Sequence, residues 1–179
     1  MIRLGLFACQ ATLMSLTSIE QQLFRRVCGK YATGITILTV LDSGGTPHGM
    51  TVNSFTSVSL SPPLILVCID RETSILSHFA FGTRFGVNVL NESQKELSTW
   101  FARSGHDRFS GMAWSPGETG APVLPEVLAT LECEVTQMVE AGDHVIVIGA
   151  VLHATWQEGR PLIYFNSSYQ SLRSGTSAS

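Results

Sequence analysis

The chain has 179 residues, of which 44% are hydrophobic and 14% charged, and its net charge is -3. Its few Lys and Arg form no cluster, which excludes a nucleic-acid surface, because neutralising phosphates requires grouped cations. The length fits one domain around one core, and a mean hydropathy of +0.22 fits a chain that buries an apolar patch in a homodimer.

Residues 1–16 are expected to be a disordered leader, with Met14 as an alternative start to Met1. The apolar run before Cys9 is too short for a signal peptide and far too short to span a bilayer, so no membrane association is expected. The cysteines Cys9, Cys28, Cys68 and Cys133 show no CxxC or metal-like spacing. They fit a reducing, cytoplasmic setting with no structural metal.

The domain is expected to span 17–172. Thr17 with Glu20, or Ser18 with Gln21, has capping-box spacing, and Ile19, Leu23, Phe24 and Val27 recur with helical period to about Lys30. ITILTVL, DSGGTP and HGMTVNSFTSVS read as strand, Gly-rich turn and strand, ended by Pro62 and Pro63. LILVCI has strand length. DRETSILSHFA opens a short helix with Asp70, Thr73 or Ser74 as cap, and RFGVNVL returns as a strand.

A second helix follows Asn91, with Leu97, Trp100 and Phe101 on one face and Gly105 just past its end. LATLECEVTQMV alternates, placing Thr130, Glu132, Glu134 and Thr136 on the polar side of a half-exposed strand. AGD then turns into HVIVIGAVLHATW, apolar on both faces and so central, and PLIYF makes a last strand. A Ser-rich tail, 173–179, is expected to be disordered. The sum is mainly β and mostly antiparallel, a closed or split barrel with two or three flanking helices. Regular βαβ alternation and GxGxxG are both missing, which disfavours a doubly wound nucleotide fold.

The five histidines show no HExxH spacing and no GxSxG elbow occurs. More informative is 43–69, which contains no Asp, Glu, Lys or Arg. In an extended strand His48, Met50, Val52, Ser54, Thr56, Val58 and Leu60 share one face, and Thr51, Asn53, Ser57 and Ser59 lie on the other. A small, uncharged, hydrogen-bonding face suits a planar heteroaromatic ring, a partner subunit, or both. Arg71, Thr73 and Ser74 stand where a helix begins and its free N–H groups favour an anion, although such residues by themselves are commonly only caps.

ATGITILT, GMTVNSFTSVSLSPP, RFGVNVL followed by Gln94, AGDHVIVIGAV and PLIYF with Tyr169 resemble, in that order, the short-chain flavin reductase family, over roughly Phe24 to Tyr169. The resemblance implies an FMN-binding split β-barrel and a homodimer that reduces FMN or FAD with NADH or NADPH. Such proteins serve as the reductase component of two-component flavin monooxygenases. It also implies that Thr51, Val52, Asn53 and Ser54 hold the flavin ring. Ser57, Ser59, Arg71, Thr73 and Ser74 would reach the ribityl and phosphate groups, with Asn88 and Val89 nearby. His144 would stand where nicotinamide stacks, and Arg160 and Tyr169 would border that pocket.

Without the family, Gly142 and Asp143 read as a plain hairpin turn, and Arg108 with Phe109 is open between a solvated loop and the family's basic residue before Phe. The rival readings keep flavin as a fixed prosthetic group, or make the chain a flavin-binding protein without reductase activity.

Overall fold

The computed structural model describes residues 19–105 and 107–172. The expected leader, the Thr17 and Ser18 caps, Cys9, His106 and the tail 173–179 lie outside the described residues.

Helix α1 (Gln21–Cys28) leads into β1 (Thr33–Gly34), β2 (Thr36–Leu41), β3 (Pro47–Val52), β4 (Thr56–Leu60) and β5 (Pro63–Asp70). A 3-10 turn, Ser74–His78, precedes β6 (Arg84–Val89), and α2 (Lys95–Ala102) follows it. Then come β7 (Ser115–Pro116), β8 (Pro122–Val123), β9 (Ala129–Ala141), β10 (His144–Trp156), β11 (Ile163–Phe165) and β12 (Ser168–Gln170). Seven strands form one antiparallel sheet in the order β3-β2-β6-β9-β10-β5-β4, with β10 in its interior between β9 and β5 as expected, although β9 is the middle strand and the C-terminal half of β10 is largely exposed. β1, β11 and β12 form a second sheet, and β7 pairs with β8.

The predicted hairpin is present, with Thr36 opposite Val52 and Leu41 opposite Pro47. The strand expected through 48–60, however, is two strands on opposite edges of the sheet. The chain leaves β3 at Asn53 because Ser54 turns its hydroxyl onto β5, donating to the Cys68 carbonyl at 2.9 Å and accepting the Cys68 N–H at 3.0 Å. Six strand spacings in a flat sheet would put β3 and β4 about 29 Å apart. Val52 and Thr56 are joined by a link reaching at most about 14 Å. The sheet therefore curls until its two edges approach where Ser54 crosses.

Inside the curl Leu38, Val40, Val67, Ile69, Phe85, Val87, Val135 and Val147 form the main core. A second core, Ile37, Leu90, Phe101, Phe109 and Leu162, seats α2. Gly49 permits this seating, since a Cβ there would stand 2.8 Å from the Phe101 ring. Two further expectations change. The helix after Asp70 is the 3-10 turn, with Thr73 before it and no side-chain cap. The polar side of β9 is not half-exposed throughout, because Thr130 and Glu132 are buried, Glu132 where the β7–β8 segment folds over it.

Candidate functional site

Among the described residues strand β3 pairs only with β2, so alternate backbone groups point away from the sheet. Gly49 faces that open side, because its carbonyl accepts a 3.1 Å hydrogen bond from the Arg108 guanidinium. By alternation Thr51 and then Asn53 point the same way. A groove lies at each end of this short edge. One, of about 420 Å³, is lined by Met50, Glu72, Thr73, Ser74, Ser104, Gly105 and Arg108, so that one carboxylate stands among its donors. The other, of about 400 Å³, lies under α1 and is lined by Phe24, Arg25, Thr33, Asn53 and Tyr164, among others. The three steps from Met50 to Asn53 cover about 10 Å, a span suited to a ligand with an anionic end and a ring.

The first groove carries the anion-binding character expected near Arg71. Arg108 is pinned by carbonyls of Gly49 and Arg103, and burial pulls its pKa down from its ordinary value. Phe109 beside it is buried in the second core, so Arg108 stands on an anchored segment. Thr73 donates its hydroxyl to the Asp70 carbonyl at 2.6 Å, and Ser74 opens the 3-10 turn. Arg71 lies across the turn between β9 and β10, with its N–H on the Asp143 carbonyl and its guanidinium 3.6 Å from Glu140.

Among the described residues, the second groove holds Asn53, exposed and free of side-chain hydrogen bonds, and Thr33, whose buried hydroxyl has no partner there. An orphaned hydroxyl and an unspent amide in one groove with Phe24 and Tyr164 fit a polar heteroaromatic ligand that abuts a ring held along β3. His144 opens β10 after the turn at Gly142, whose φ of 65° favours glycine. Its Nδ1 lies 2.7 Å from Asp143. That contact, then the imidazole's charge, then Arg25's charge among lesser causes, hold the Asp143 carboxyl below its ordinary pKa.

The structure gathers Thr51, Asn53, Thr73 and Ser74 along one edge, with Arg71 and His144 at the neighbouring turn. Other expected residues are spent elsewhere. Ser54 offers only main chain, since its hydroxyl clasps β5. Val52 is buried in the core. Asn88 is fully buried, with its amide on the Ile37 carbonyl and Thr39 hydroxyl and its oxygen on the Leu124 N–H, while Val89 lies beside it in β6. Ser57 and Ser59 lie on β4, where Ser59 accepts from the Ser61 N–H. Tyr169 lies 2.9 Å from the Ser98 hydroxyl, and Thr51 donates to the Ser98 carbonyl, so both brace α2. Arg160 pairs with Glu92 at 3.4 Å, four residues past the end of β10.

Sequence reasoning missed Thr33, Arg25 and Tyr164. Thr33 and Tyr164 face each other across the β1–β11 ladder, a pairing of segments 131 residues apart that no local pattern signals. Among the described residues no group of three metal-ligating side chains converges, and no helix is long and apolar enough to cross a membrane.

The family described as flavin reductase like domain matches residues 28–173. A probable flavin reductase of Rhizobium meliloti is 44% identical over 138 residues, 77% of this chain and 44% of the relative. The chain spans about half the length of the first curated relatives it matches. Among solved structures, Streptomyces globisporus NADH:FAD oxidoreductase SgcE6, in complex with NAD and FAD fragments, superposes with a TM-score of 0.81 at 36% identity, covering 92% of this chain and 99% of that one. The styrene monooxygenase flavin reductase of Pseudomonas putida superposes with a TM-score of 0.78 at 37% identity, covering 85% and 98%.

Proposed function

The chain belongs to the flavin reductase-like family, and on that premise we propose that it is an NAD(P)H:flavin oxidoreductase that supplies reduced FMN or FAD to a separate monooxygenase. The observation that carries this reading is the open β3 edge, with an anion-suited groove at one end and the Asn53 groove at the other. Bound flavin supplies a ring that takes a hydride from a nicotinamide, a transfer that depends chiefly on holding two flat rings in contact.

The chain's own residues divide that work. Arg108 and Ser74 hold the phosphate, Arg108 by charge and Ser74 by hydroxyl and N–H donors, while Thr73, whose hydroxyl and N–H both donate to the Asp70 carbonyl, shapes the turn beside it. The outward N–H of Thr51 and the Asn53 amide orient the ring and meet negative charge as it develops there. His144, steadied by Asp143, closes the nicotinamide side, and Arg71 guards the same turn. Ser57, Ser59, Val89, Arg160 and Tyr169 belong to the outer rim of this reading, whereas the buried Asn88 and Val52 serve the fold beneath it.

The curled sheet with unpaired β3 and β4 edges is the split form of the barrel, and the protein is a cytoplasmic homodimer. Support for the dimer comes from β4, an edge strand of the charge-free 43–69 stretch that leaves Leu60 95% exposed. A bare apolar edge of this kind needs cover. Sedimentation at micromolar concentration tests it, and a monomer overturns it.

The test of function is to mix the protein with NADH or NADPH and with FMN or FAD, following the nicotinamide absorbance. The reading expects oxidation that saturates with added free flavin. A rate independent of free flavin makes flavin a fixed prosthetic group, and no oxidation with any pair rejects the activity.

A further inference from the structure

We propose that the groove beneath α1 is the dinucleotide site and that Arg25 is its phosphate-binding residue, an assignment that rests on the reading of the chain as an NAD(P)H-dependent flavin reductase. The groove's volume of about 400 Å³ falls in the range of small-ligand sites. It shares Asn53 with the flavin edge, so a ligand seated there abuts a ring held on β3.

Helix α1 has no buried residue, and eight residues are too few to form a stable helix on propensity alone. It is fastened at its C-terminal end, where the Asn166 N–H donates to the Gly29 carbonyl and Lys30 Nζ donates to Asn166 Oδ1. Beyond that pin it serves as one wall of the groove, whose lining includes the aromatic rings of Phe24 and Tyr164, suited to a base or a nicotinamide.

Arg25 projects from this wall. Among the described residues its guanidinium has no ion pair or hydrogen bond, as is also true of Arg26 and Arg103, but of these three only Arg25 lines this groove, whereas Arg71, Arg84 and Arg160 are each paired with a glutamate and Arg108 is held by carbonyls. The planar guanidinium binds a diphosphate through paired N–H donors. The buried, unpartnered Thr33 hydroxyl in the same groove is a second sign of a missing polar ligand atom. Each groove thus has one arginine: Arg108 for the flavin phosphate and Arg25 for the dinucleotide.

Arg25→Gln and Arg25→Lys separate this role from a structural one. Steady-state kinetics with NADH are compared with those for dihydronicotinamide riboside, which keeps the reacting ring and lacks phosphate. Calorimetric titration with unreactive NAD+ gives affinity without turnover. Arg25→Gln should raise the NADH KM and the NAD+ Kd about tenfold, the scale of one charge-assisted contact. FMN affinity, melting temperature and the riboside kinetics should stay unchanged, and Arg25→Lys should recover part of the loss. Equal losses with NADH and the riboside, or unchanged NAD+ affinity, overturn the proposal. Wild-type protein that binds NAD+ but oxidises no NADH instead counts against the reductase reading, and the titration still decides the role of Arg25.

Discussion

Two polar regions of this molecule use their hydrogen bonds in opposite ways. Beneath the β7–β8 segment, Glu132 is 2% exposed and accepts from the Glu118 N–H, the Thr119 N–H and the Thr119 hydroxyl. Next to it, Thr39 donates to the Pro122 carbonyl and Asn88 to Thr39. Every bond there ties one backbone segment to another. Along the β3 edge and under α1, Asn53, Thr33 and Arg25 have comparable capacity and leave it unspent. Polar groups satisfied within the fold report stability, and unspent ones at a groove report a ligand.

The largest expected effect tests the sealed region. Glu132→Ala frees three donors and should destabilise the fold by about 2–4 kcal/mol, measured by urea unfolding, with FMN affinity of the folded fraction unchanged. Burial opposes the Glu132 charge, yet the Thr119 and Glu118 donors outweigh it and hold the carboxyl below its ordinary pKa. Its stabilising contribution is therefore present above the unfolded carboxylate value and is lost as pH falls through the lower folded one. Asn88→Ala should behave alike, because it strands the Leu124 N–H. A selective loss of flavin binding in either variant would blur the distinction between the regions.

Asn53→Ala should do the reverse, weakening flavin binding by about 1–3 kcal/mol if its bond to the ring is buried, with melting temperature within about a degree. Fluorescence titration of FMN beside a melting curve decides it. Unchanged flavin affinity removes Asn53 from the site. His144→Ala should slow flavin reduction or raise the nicotinamide KM with little change in flavin affinity, read by stopped flow across a nicotinamide series. Wild-type reduction with lowered melting temperature makes it a scaffold residue.

The contrast explains what the sequence disclosed. Alternation and turn residues gave the β2–β3 hairpin, the β9–β10 hairpin and the interior place of β10, because these depend on neighbours in the chain. The break at Asn53 was hidden, since it depends on Ser54 reaching Cys68 across fourteen positions. Glu132 read as solvent-facing for the same reason: its cover comes from a segment that pairs only locally. Asn53 and Thr51 were legible as small polar residues in a charge-free run. Arg25 was not, because nothing near it in sequence marks a groove completed by Tyr164 and Thr33.

A smaller effect lies between the two regions. His78 stacks on His48 with ring centroids 4.1 Å apart, and Asp42 lies 3.1 Å from the His48 ring. Burial first, then the neighbouring imidazole, lower the His78 pKa against the pull of Asp42. The folded state therefore binds fewer protons than the unfolded one in this window. Stability should fall as pH drops below the ordinary histidine value of about 6.5 and be recovered above it. Melting curves at pH 7.5 and 5.5 should show a decline that His78→Phe reduces. An unaltered decline assigns it to other groups.

The most direct test of the contrast is amide hydrogen exchange with and without FMN. The account predicts new protection at 49–54 and 71–74, and unchanged exchange at 115–124 and across 130–134, where the bonds are already satisfied. Protection confined to the β7–β8 segment, or none along β3, would contradict it.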